Sequence, residues 1–306
     1  MKEGRYHTVV PIHNLNLELQ QPVQFGHGFR LGPLPEWVLK DSMLEDLNRL
    51  ARERVADSKL AFVATYDATA LGDPDPDWKD ERPRGIQDAM YEAGVMANLA
   101  LWIAKPSPAG FTVVIHAPEF PSGPLAQRVS THSPLLCHPR HDPQPMHLSD
   151  IDLAARLHLG LVEVMKNGRD SSLWTVARAL WAGLQMDNPP IRCTLFWVAL
   201  EALFGPEDGR EITYRLSQRL GFFLGHDRSD ARDLFATAKR GYAFRSRIVH
   251  GNWKKDPEAD DRMVEAERFA RQSLLRILKE EELIQTFSSR ARESYLENLV
   301  FTGGTA

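Results

Sequence analysis

The sequence predicts an α+β N-terminal domain followed by an all-α helical bundle. Sixteen of its 20 prolines lie in residues 1–148 and four in 149–306, so long helices are disfavoured in the first part and allowed in the second. The first part also contains short runs rich in β-branched and aromatic residues. The second part shows helical apolar spacing bounded by capping residues. A chain of 306 residues is long enough for about two domains.

The N-terminal domain is expected to span residues 1–148 and to mix strands with helices. Its last part, at about 118–148, is rich in Pro, His and Ser, which is typical of a linker. The segments with strand composition are Leu60–Tyr66, Phe111–His116, Thr8–Ile12 and Leu15–Leu19. The segments with helical spacing are Ser42–Val55 and Gly85–Ala104.

The C-terminal domain, residues 149–306, is expected to be a bundle of helices joined by short loops. Pro189–Pro190 would open its third helix, and Gly205, Gly225 and Gly251 would follow helix ends. The predicted helices cover 149–166, 171–186, 189–204, 211–224, 229–250 and 259–279, with a short helix after them.

The composition, 43% hydrophobic and 25% charged, is that of a soluble globular protein. No apolar stretch reaches the ~18 residues of a transmembrane helix, and the N-terminus lacks the apolar core of a signal peptide. Two cysteines, Cys137 and Cys193, are too few for a disulfide framework and favour a reducing compartment. We therefore expect a cytoplasmic protein with no membrane partner.

Two charged residues stand at positions where apolar residues are expected. The third predicted helix, Leu195–Phe204, is apolar all round apart from Glu201, so this carboxylate must find a partner or be protonated. The fifth helix has an apolar stripe at Phe235, Ala238, Tyr242 and Val249, and Arg245 falls on it. Glu201 is the obvious partner of Arg245. Such a pair could simply fix the register of the bundle.

His250 follows Arg245 by five residues, at the end of the same predicted helix. Five residues at about 100° each place the two about 140° apart on a straight helix. They could face one cleft only if the helix unwinds at its terminus and the long arginine side chain reaches across. A histidine at this place can also be a simple helix cap.

A basic island surrounds this pair. The net charge of −4 belongs to residues 1–148, with 14 basic and 18 acidic side chains, while residues 149–306 carry 23 of each. Between Lys239 and Lys255 there is no acid, and Tyr242, Phe244 and Trp253 alternate with the cations. This pattern is typical of a nucleic-acid contact or of a solvated basic face. The candidate RNA-binding residues are Lys239, Arg240, Arg247, Lys254 and Lys255.

The C-terminal half contains three further blocks in order: FWVALEALFG (Phe196–Gly205), YRLSQRLGFFLG (Tyr214–Gly225), and Tyr242 followed by RSRIVHG (Arg245–Gly251). Together they resemble the Apea-like branch of the HEPN superfamily. The last one fits the R-x4-6-H motif of that superfamily. The resemblance covers about residues 149–285 and leaves the N-terminal domain uncovered. It implies an HEPN-like antiparallel helical bundle that dimerises.

The resemblance further implies a metal-independent endoribonuclease of prokaryotic defence, toxin or abortive-infection systems. Arg245 and His250 would be its catalytic pair, and two copies of the motif would build one composite site in a homodimer. Glu201, Ser246 and Tyr242 would support them. RNA would be the substrate, no cofactor would be needed, and the N-terminal domain would bind a further protein or ligand. One departure is Ser246, where the best-known ribonucleases often have Asn, Asp or His.

Two alternatives are open. The helical domain could be a non-catalytic module for dimerisation and RNA binding, with function set by the N-terminal domain. The linker could hold zinc, although its spacing matches no familiar zinc module. The possible ligands are His132, Cys137, His138, His141 and His147.

Other enzyme classes find little support. The sequence contains no phosphate-binding G-x-x-x-x-G-K-[ST] loop and no G-x-S-x-G nucleophile elbow. Phe25–Phe29 (FGHGF) is more consistent with a turn than with a dinucleotide loop, since it lacks the third glycine. The acidic segment from Asp73 to Asp80 is interrupted by prolines and is expected to be a solvated loop.

Overall fold

A computed structural model describes most of the chain, in two compact units. The first unit contains the described residues up to Val162, and the second those from Glu163 onward. The described ranges are 5–15, 17–40, 44–45, 47–67, 86–107, 109–118, 128–131, 145–168, 171–254 and 257–303.

The first unit is built on an antiparallel sheet in the order β2-β3-β4-β1-β5-β6. Its strands are β1 (Arg5–Ile12), β2 (Val23–Gln24), β3 (Arg30–Pro33), β4 (Leu60–Asp67), β5 (Val113–Pro118) and β6 (Arg128–Thr131). The central strand β1 pairs with β4 and β5, so that Val9 lies opposite both Val63 and Ile115. Three buried β-branched residues therefore line up across the middle of the sheet.

Both faces of this sheet are covered by helices. On one face, Val9 and its cross-strand neighbours pack with helix α1 (Arg49–Ala56) and with a single 3₁₀ turn at Glu36–Leu39. On the other face lies α2 (Ile86–Ala104), where a Cβ on Gly94 would come within 2.9 Å of Val10 Cγ2. Glycine at 94 is therefore what lets α2 lie close to β1.

A buried histidine joins α2 to the next helix, α3 (Leu148–Lys166). The His158 ring is fully buried; its Nδ1 accepts a hydrogen bond from the Gly26 amide at 3.0 Å, and its Nε2 donates to the Ala93 carbonyl at 2.9 Å. These roles require the neutral ring with its proton on Nε2. Burial lowers the pKa of His158 to about 4, against the opposing effect of the Ala93 hydrogen bond.

The second unit is helical. Its helices are α4 (Ser172–Leu184), α5 (Pro189–Phe204), α6 (Ile212–Leu224), α7 (Arg228–Val249), α8 (Ala259–Leu278), α9 (Glu281–Phe287) and α10 (Ala291–Phe301). Helix α5 is central, because it packs against α4, α6, α7 and α8. This agrees with its nearly uninterrupted apolar sequence, which predicts burial on all sides.

Several predicted boundaries are confirmed. Ser171 caps α4 by accepting a hydrogen bond from the Trp174 amide at 3.2 Å. Pro189 and Pro190 open α5 behind the N-cap Asn188, and Gly205 ends it. Proline is tolerated there because the first helical amides have no intrahelical acceptor.

Other predictions were wrong in detail. Leu15 and residues 17–19 form no strand, since β1 ends before Asn14, whose φ of 58° an extended strand does not allow. Of the helix predicted over 42–55, α1 begins at Arg49 behind the cap Asn48, and residues 42, 43 and 46 lie outside the described residues. Helix α7 begins at Arg228 behind the N-cap Asp227, one residue before the predicted start at residue 229. The division between units falls inside α3, after Val162, rather than at residue 149, and His158 shows why: its hydrogen bonds belong to the sheet unit.

Phe25–Phe29 forms a 3₁₀ turn over Gly26–Gly28, as a turn-like interpretation predicted. The acidic segment from Asp73 to Asp80 lies outside the described residues. Within the described ranges, no helix has both the length and the apolar character needed to cross a membrane.

The neutral state of His158 predicts a pH-dependent stability of the first unit. Its pKa is about 4 in the folded protein and about 6.5 in the unfolded chain, so this contribution is complete above pH 6.5 and is lost as the pH falls towards 4. We expect a loss of about 1.4 kcal/mol per pH unit in that window. The measurement is urea unfolding at pH 4.5–7 of the wild type, His158→Gln and, as an exposed control, His147→Gln.

The glutamine variant cannot protonate, so its deficit relative to the wild type should shrink as the pH falls, while His147→Gln should follow the wild type. Parallel curves for all three proteins would show that His158 does not carry the effect.

Candidate functional site

The first and third sequence blocks meet where α5 crosses α7. A Cβ placed on Gly241 of α7 would lie 2.7 Å from Cζ2 of Trp197 on α5, closer than carbon atoms can approach. Gly241 therefore allows the two helix backbones to come together at this point. One turn further along each helix stand Glu201 and Arg245, at i+4 from Trp197 and Gly241 respectively, so the close approach brings these charges face to face.

Tyr242 lies between the indole and the charges. Its ring meets that of Trp197 edge to face, with centroids 5.5 Å apart and planes at 87°. Its hydroxyl hydrogen-bonds to the Glu201 carboxylate. Burial, followed by this carboxylate, raises the pKa of Tyr242 to about 12, so the hydroxyl stays protonated and acts as the donor.

Glu201 and Arg245 form the predicted ion pair. Arg245 Nη2 lies 3.0 Å from Glu201 Oε1, and the guanidinium carbon lies 5.5 Å from the Tyr242 ring centroid. The side chains are 29% and 21% exposed, so the carboxylate is half-buried rather than enclosed as the apolar sequence of α5 predicted. Arg245 Nε is buried and has no hydrogen-bond acceptor among the described residues. The pair is thus a charge contact supported by the tyrosine.

The apolar stripe of α7 ends at this pair. Ala238 and Tyr242 are buried, and Phe235 is half-buried, as expected. Val249, however, is 52% exposed, so its predicted place in the core was wrong. In this last turn Arg247, Val249 and His250 are exposed, while Ser246 and Ile248 are half-buried.

His250 caps α7 with an exposed side chain. Its amide donates to the Ser246 carbonyl at 3.1 Å, the Gly251 amide to Ile248 O at 3.1 Å, and the Asn252 amide to Arg247 O at 2.9 Å. Gly251 has φ of 71°, so the helix ends in a Schellman motif with glycine in the left-handed position.

The helix therefore does not unwind before His250, and the expectation that unwinding brings His250 to Arg245 was wrong. No hydrogen bond, ion pair or ring contact joins the two in the part of the chain that the structure describes. Helical geometry places them about 140° apart. Ser246 is half-buried, and the contact described for it is made by its backbone carbonyl.

The predicted RNA-binding cations on α7 are exposed, and some rest on aromatic rings or local oxygens. Lys239 Nζ lies 5.9 Å from the Phe235 centroid, Arg240 Nη2 donates to Thr237 Oγ1 at 3.2 Å, and the Arg247 guanidinium lies 5.7 Å from the Phe244 centroid. Lys254 is exposed beyond the helix, and Lys255 lies outside the described residues.

These cations share one face of α7 with a residue that the sequence analysis missed. Relative to Lys239, exposed Arg232 lies at about 20° around the helix, Arg247 at about 80° and Arg240 at about 100°. We call these four residues the basic face. His250 lies on it, at about 20°, whereas Arg245 points to the other side. Counting turns back from Lys239 would have found Arg232, two turns earlier.

The second sequence block is placed differently. Tyr214 is 49% exposed and its ring packs edge-on against Phe235 of α7. Arg219 is buried; its guanidinium binds Glu293 of α10 and donates to the Phe204 carbonyl in the first block, at 3.3 Å. Sequence reasoning missed Glu293 because 74 residues separate it from Arg219.

The zinc hypothesis stays untested for most of its ligands. His132, Cys137, His138 and His141 lie outside the described residues, and His147 is exposed. In the described ranges, no three or more His, Cys, Asp or Glu side chains are grouped so as to hold a metal ion.

Comparisons with protein-family models, curated proteins and solved structures find no match to this chain.

The ion pair predicts a non-additive effect on stability. Glu201→Gln leaves the half-buried Arg245 charge uncompensated and should lower the free energy of unfolding by about 1–3 kcal/mol, less than for a fully buried pair. Arg245→Gln should cost a similar amount. The double variant should lose clearly less than the sum of the two, which urea unfolding of the four proteins would show. Losses that add within about 0.5 kcal/mol would mean that the pair contributes nothing.

Proposed function

We propose that this protein is a metal-independent endoribonuclease of the HEPN type, with Arg245 and His250 as its catalytic residues. The observation that supports it is how the motif is held. Arg245 is oriented by Glu201 and Tyr242, while His250 is presented in solvent at the end of the same helix by a glycine-terminated turn. The motif thus combines one fixed cation with one accessible proton carrier.

The proposed chemistry is attack of the ribose 2′-hydroxyl on the adjacent phosphate. His250 moves protons at the 2′-hydroxyl or the leaving 5′-oxygen, because imidazole is the side chain that titrates near neutral pH. Arg245 stabilises the charge on the phosphorane oxygens with its fixed fork of donors. Glu201 and Tyr242 hold Arg245 in place, and Ser246 supports the turn that carries His250.

The separation of the pair within one chain supports a composite site. Because Arg245 and His250 point to different sides of α7, one copy of the motif does not assemble both groups on one phosphate. In the proposed homodimer, the motif of a second chain supplies the missing group. RNA approaches along the basic face, where four cations lie on the same side as His250, with Lys254 beyond it.

The proposed biological setting follows from the resemblance to the Apea-like branch. We infer a role in prokaryotic defence, as a toxin or in abortive infection, in the cytoplasm. The sheet unit would then bind the protein or ligand that triggers cleavage.

A cleavage assay tests the catalytic assignment. In EDTA, the wild type should cleave single-stranded RNA, and His250→Ala should lower the rate about 100-fold or more because the proton carrier is lost. Arg245→Ala should lower it to a similar extent. His226→Ala, at an exposed position before α7, is the matched control and should retain full activity. Equal cleavage by the wild type and His250→Ala would reject the assignment.

One observation favours a second function, a non-catalytic RNA-binding module. The charge of Arg245 is already compensated by Glu201 within its own chain, as in a pair that only fixes the register of the helices. In that case the wild type would bind RNA without cleaving it, and His250→Ala would bind equally well.

Salt dependence tests the role of the basic face under either function. Each cation that neutralises a phosphate of single-stranded RNA adds about 0.7 to the slope of log affinity against log salt. Lys239→Ala and Arg240→Ala together should reduce the slope by about 1.4, while Lys279→Ala, exposed at the end of α8, should leave it unchanged. Fluorescence anisotropy with an oligouridine at 50–300 mM salt measures it. An unchanged slope of log affinity against log salt in the double variant would mean that RNA does not bind at the basic face.

A further inference from the structure

The C-terminal end of α5 is held by two arginines. The last four carbonyls of a helix lack intrahelical donors. Here the Glu201 carbonyl accepts from the Gly205 amide at 2.8 Å. Arg292 Nη1 donates to the carbonyls of Ala202, Leu203 and Gly205 at 3.1–3.2 Å.

The remaining carbonyl, that of Phe204, accepts from Arg219 Nη1 at 3.3 Å. Arg219 lies on α6 and Arg292 on α10, so side chains from two other helices satisfy the end of α5. Positive charge is also favourable at this end of a helix dipole.

Both arginines converge on one carboxylate. Glu293 on α10 accepts from Arg219 with both oxygens, at 3.1 and 2.5 Å, and its Oε1 also accepts from Arg215 Nη2 at 3.2 Å. Arg292 Nη2 lies 4.0 Å from Glu293 Oε2 and 3.8 Å from Glu207 Oε1. Arg219 is 3% exposed and Glu293 is 19% exposed, so the pair is shielded from water. A bidentate contact of this kind fixes the orientation of the guanidinium as well as its charge.

The last turn of α5, which the two arginines hold, begins at Glu201. The Glu201 carbonyl accepts a hydrogen bond from the Gly205 amide, and the Glu201 carboxylate contacts Arg245 and Tyr242. A continuous series of contacts therefore runs from Glu293 through the two arginines and the last turn of α5 to Arg245.

We propose that Glu293 is a positioning residue for the Arg245 site: through Arg219 and Arg292 it fixes the last turn of α5 and hence the Glu201 carboxylate that orients Arg245. The C-terminal helix α10 then contributes to the geometry of the site, although it contacts neither Arg245 nor His250. The effect on turnover rests on the proposed ribonuclease function, whereas the coupling between Glu293 and Glu201 does not.

The chain offers a matched pair of substitutions. Glu293→Gln keeps the shape of the side chain and removes the charge that binds Arg219 and Arg215. Asp208→Asn, the control, removes another carboxylate of the same cluster, which binds Arg215 at 2.8 Å and the Arg210 amide at 3.0 Å. It leaves Glu293 and both arginines of the α5 end in place, and neither Arg215 nor Arg210 donates to the described carbonyls there. Glu293→Asp retains the charge and should restore part of what Glu293→Gln loses.

The first measurement is steady-state RNA cleavage in EDTA. Glu293→Gln should lower kcat about tenfold or more and change KM less than about twofold, because orientation of Arg245 is lost while the basic face is intact. Asp208→Asn should stay within about twofold of the wild type in both. An unchanged kcat in Glu293→Gln, where the wild type cleaves, would overturn the proposal.

The second measurement does not require catalysis. Urea midpoints are compared for Glu293→Gln, Glu201→Gln and their double variant, and for the same cycle with Asp208→Asn. The double variant of Glu293 and Glu201 should lose clearly less free energy of unfolding than the two single variants together. In the cycle with Asp208→Asn the losses should add. If the wild type cleaves no RNA, the proposed function fails, and this cycle alone tests whether Glu293 positions Glu201. Additive losses in both cycles overturn the proposal, even if kcat falls, since Glu293 would then not act through Glu201.

Discussion

The close approach of α5 and α7 at Gly241 is the constraint on which the candidate site depends. With any side chain at 241, the backbone would be held away from Trp197, and the charged residues one turn further along would separate. Because both helices are rigid over these turns, a single small residue sets the distance between Glu201 and Arg245. The aromatic contact of Trp197 with Tyr242 then fixes the rotation of α7 about its axis.

The same helix separates its charges into two groups with different physical roles. Arg245 is largely buried, and Glu201 and Tyr242 restrict its position. The cations of the basic face are exposed to solvent, so they act on a distant charge over about one Debye length. One group suits a defined contact with a single phosphate, and the other suits attraction of a polyanion without a fixed geometry.

Local patterns predicted much of this architecture. Capping residues and prolines placed the ends of α4 and α5, and the polar residue on an apolar stripe identified Arg245 and its partner. What the sequence did not reveal depends on contacts between distant segments. The grouping of α3 with the sheet rests on the His158 hydrogen bonds to Gly26 and Ala93, and the clamp on α5 rests on a carboxylate in the last helix. Neither pairing leaves a periodic signal, because each joins single residues far apart in the chain.

In the Schellman motif at the end of α7, the backbone position of residue 250 does not depend on its side chain. The three hydrogen bonds that shape this turn are all backbone to backbone, and the left-handed residue is Gly251. The side chain at 250 therefore contributes nothing to holding its own Cα in place. During evolution the histidine at this position can therefore be gained or lost by substitution without a change in the helix end. The backbone presents whichever side chain stands at residue 250 to solvent in the same way.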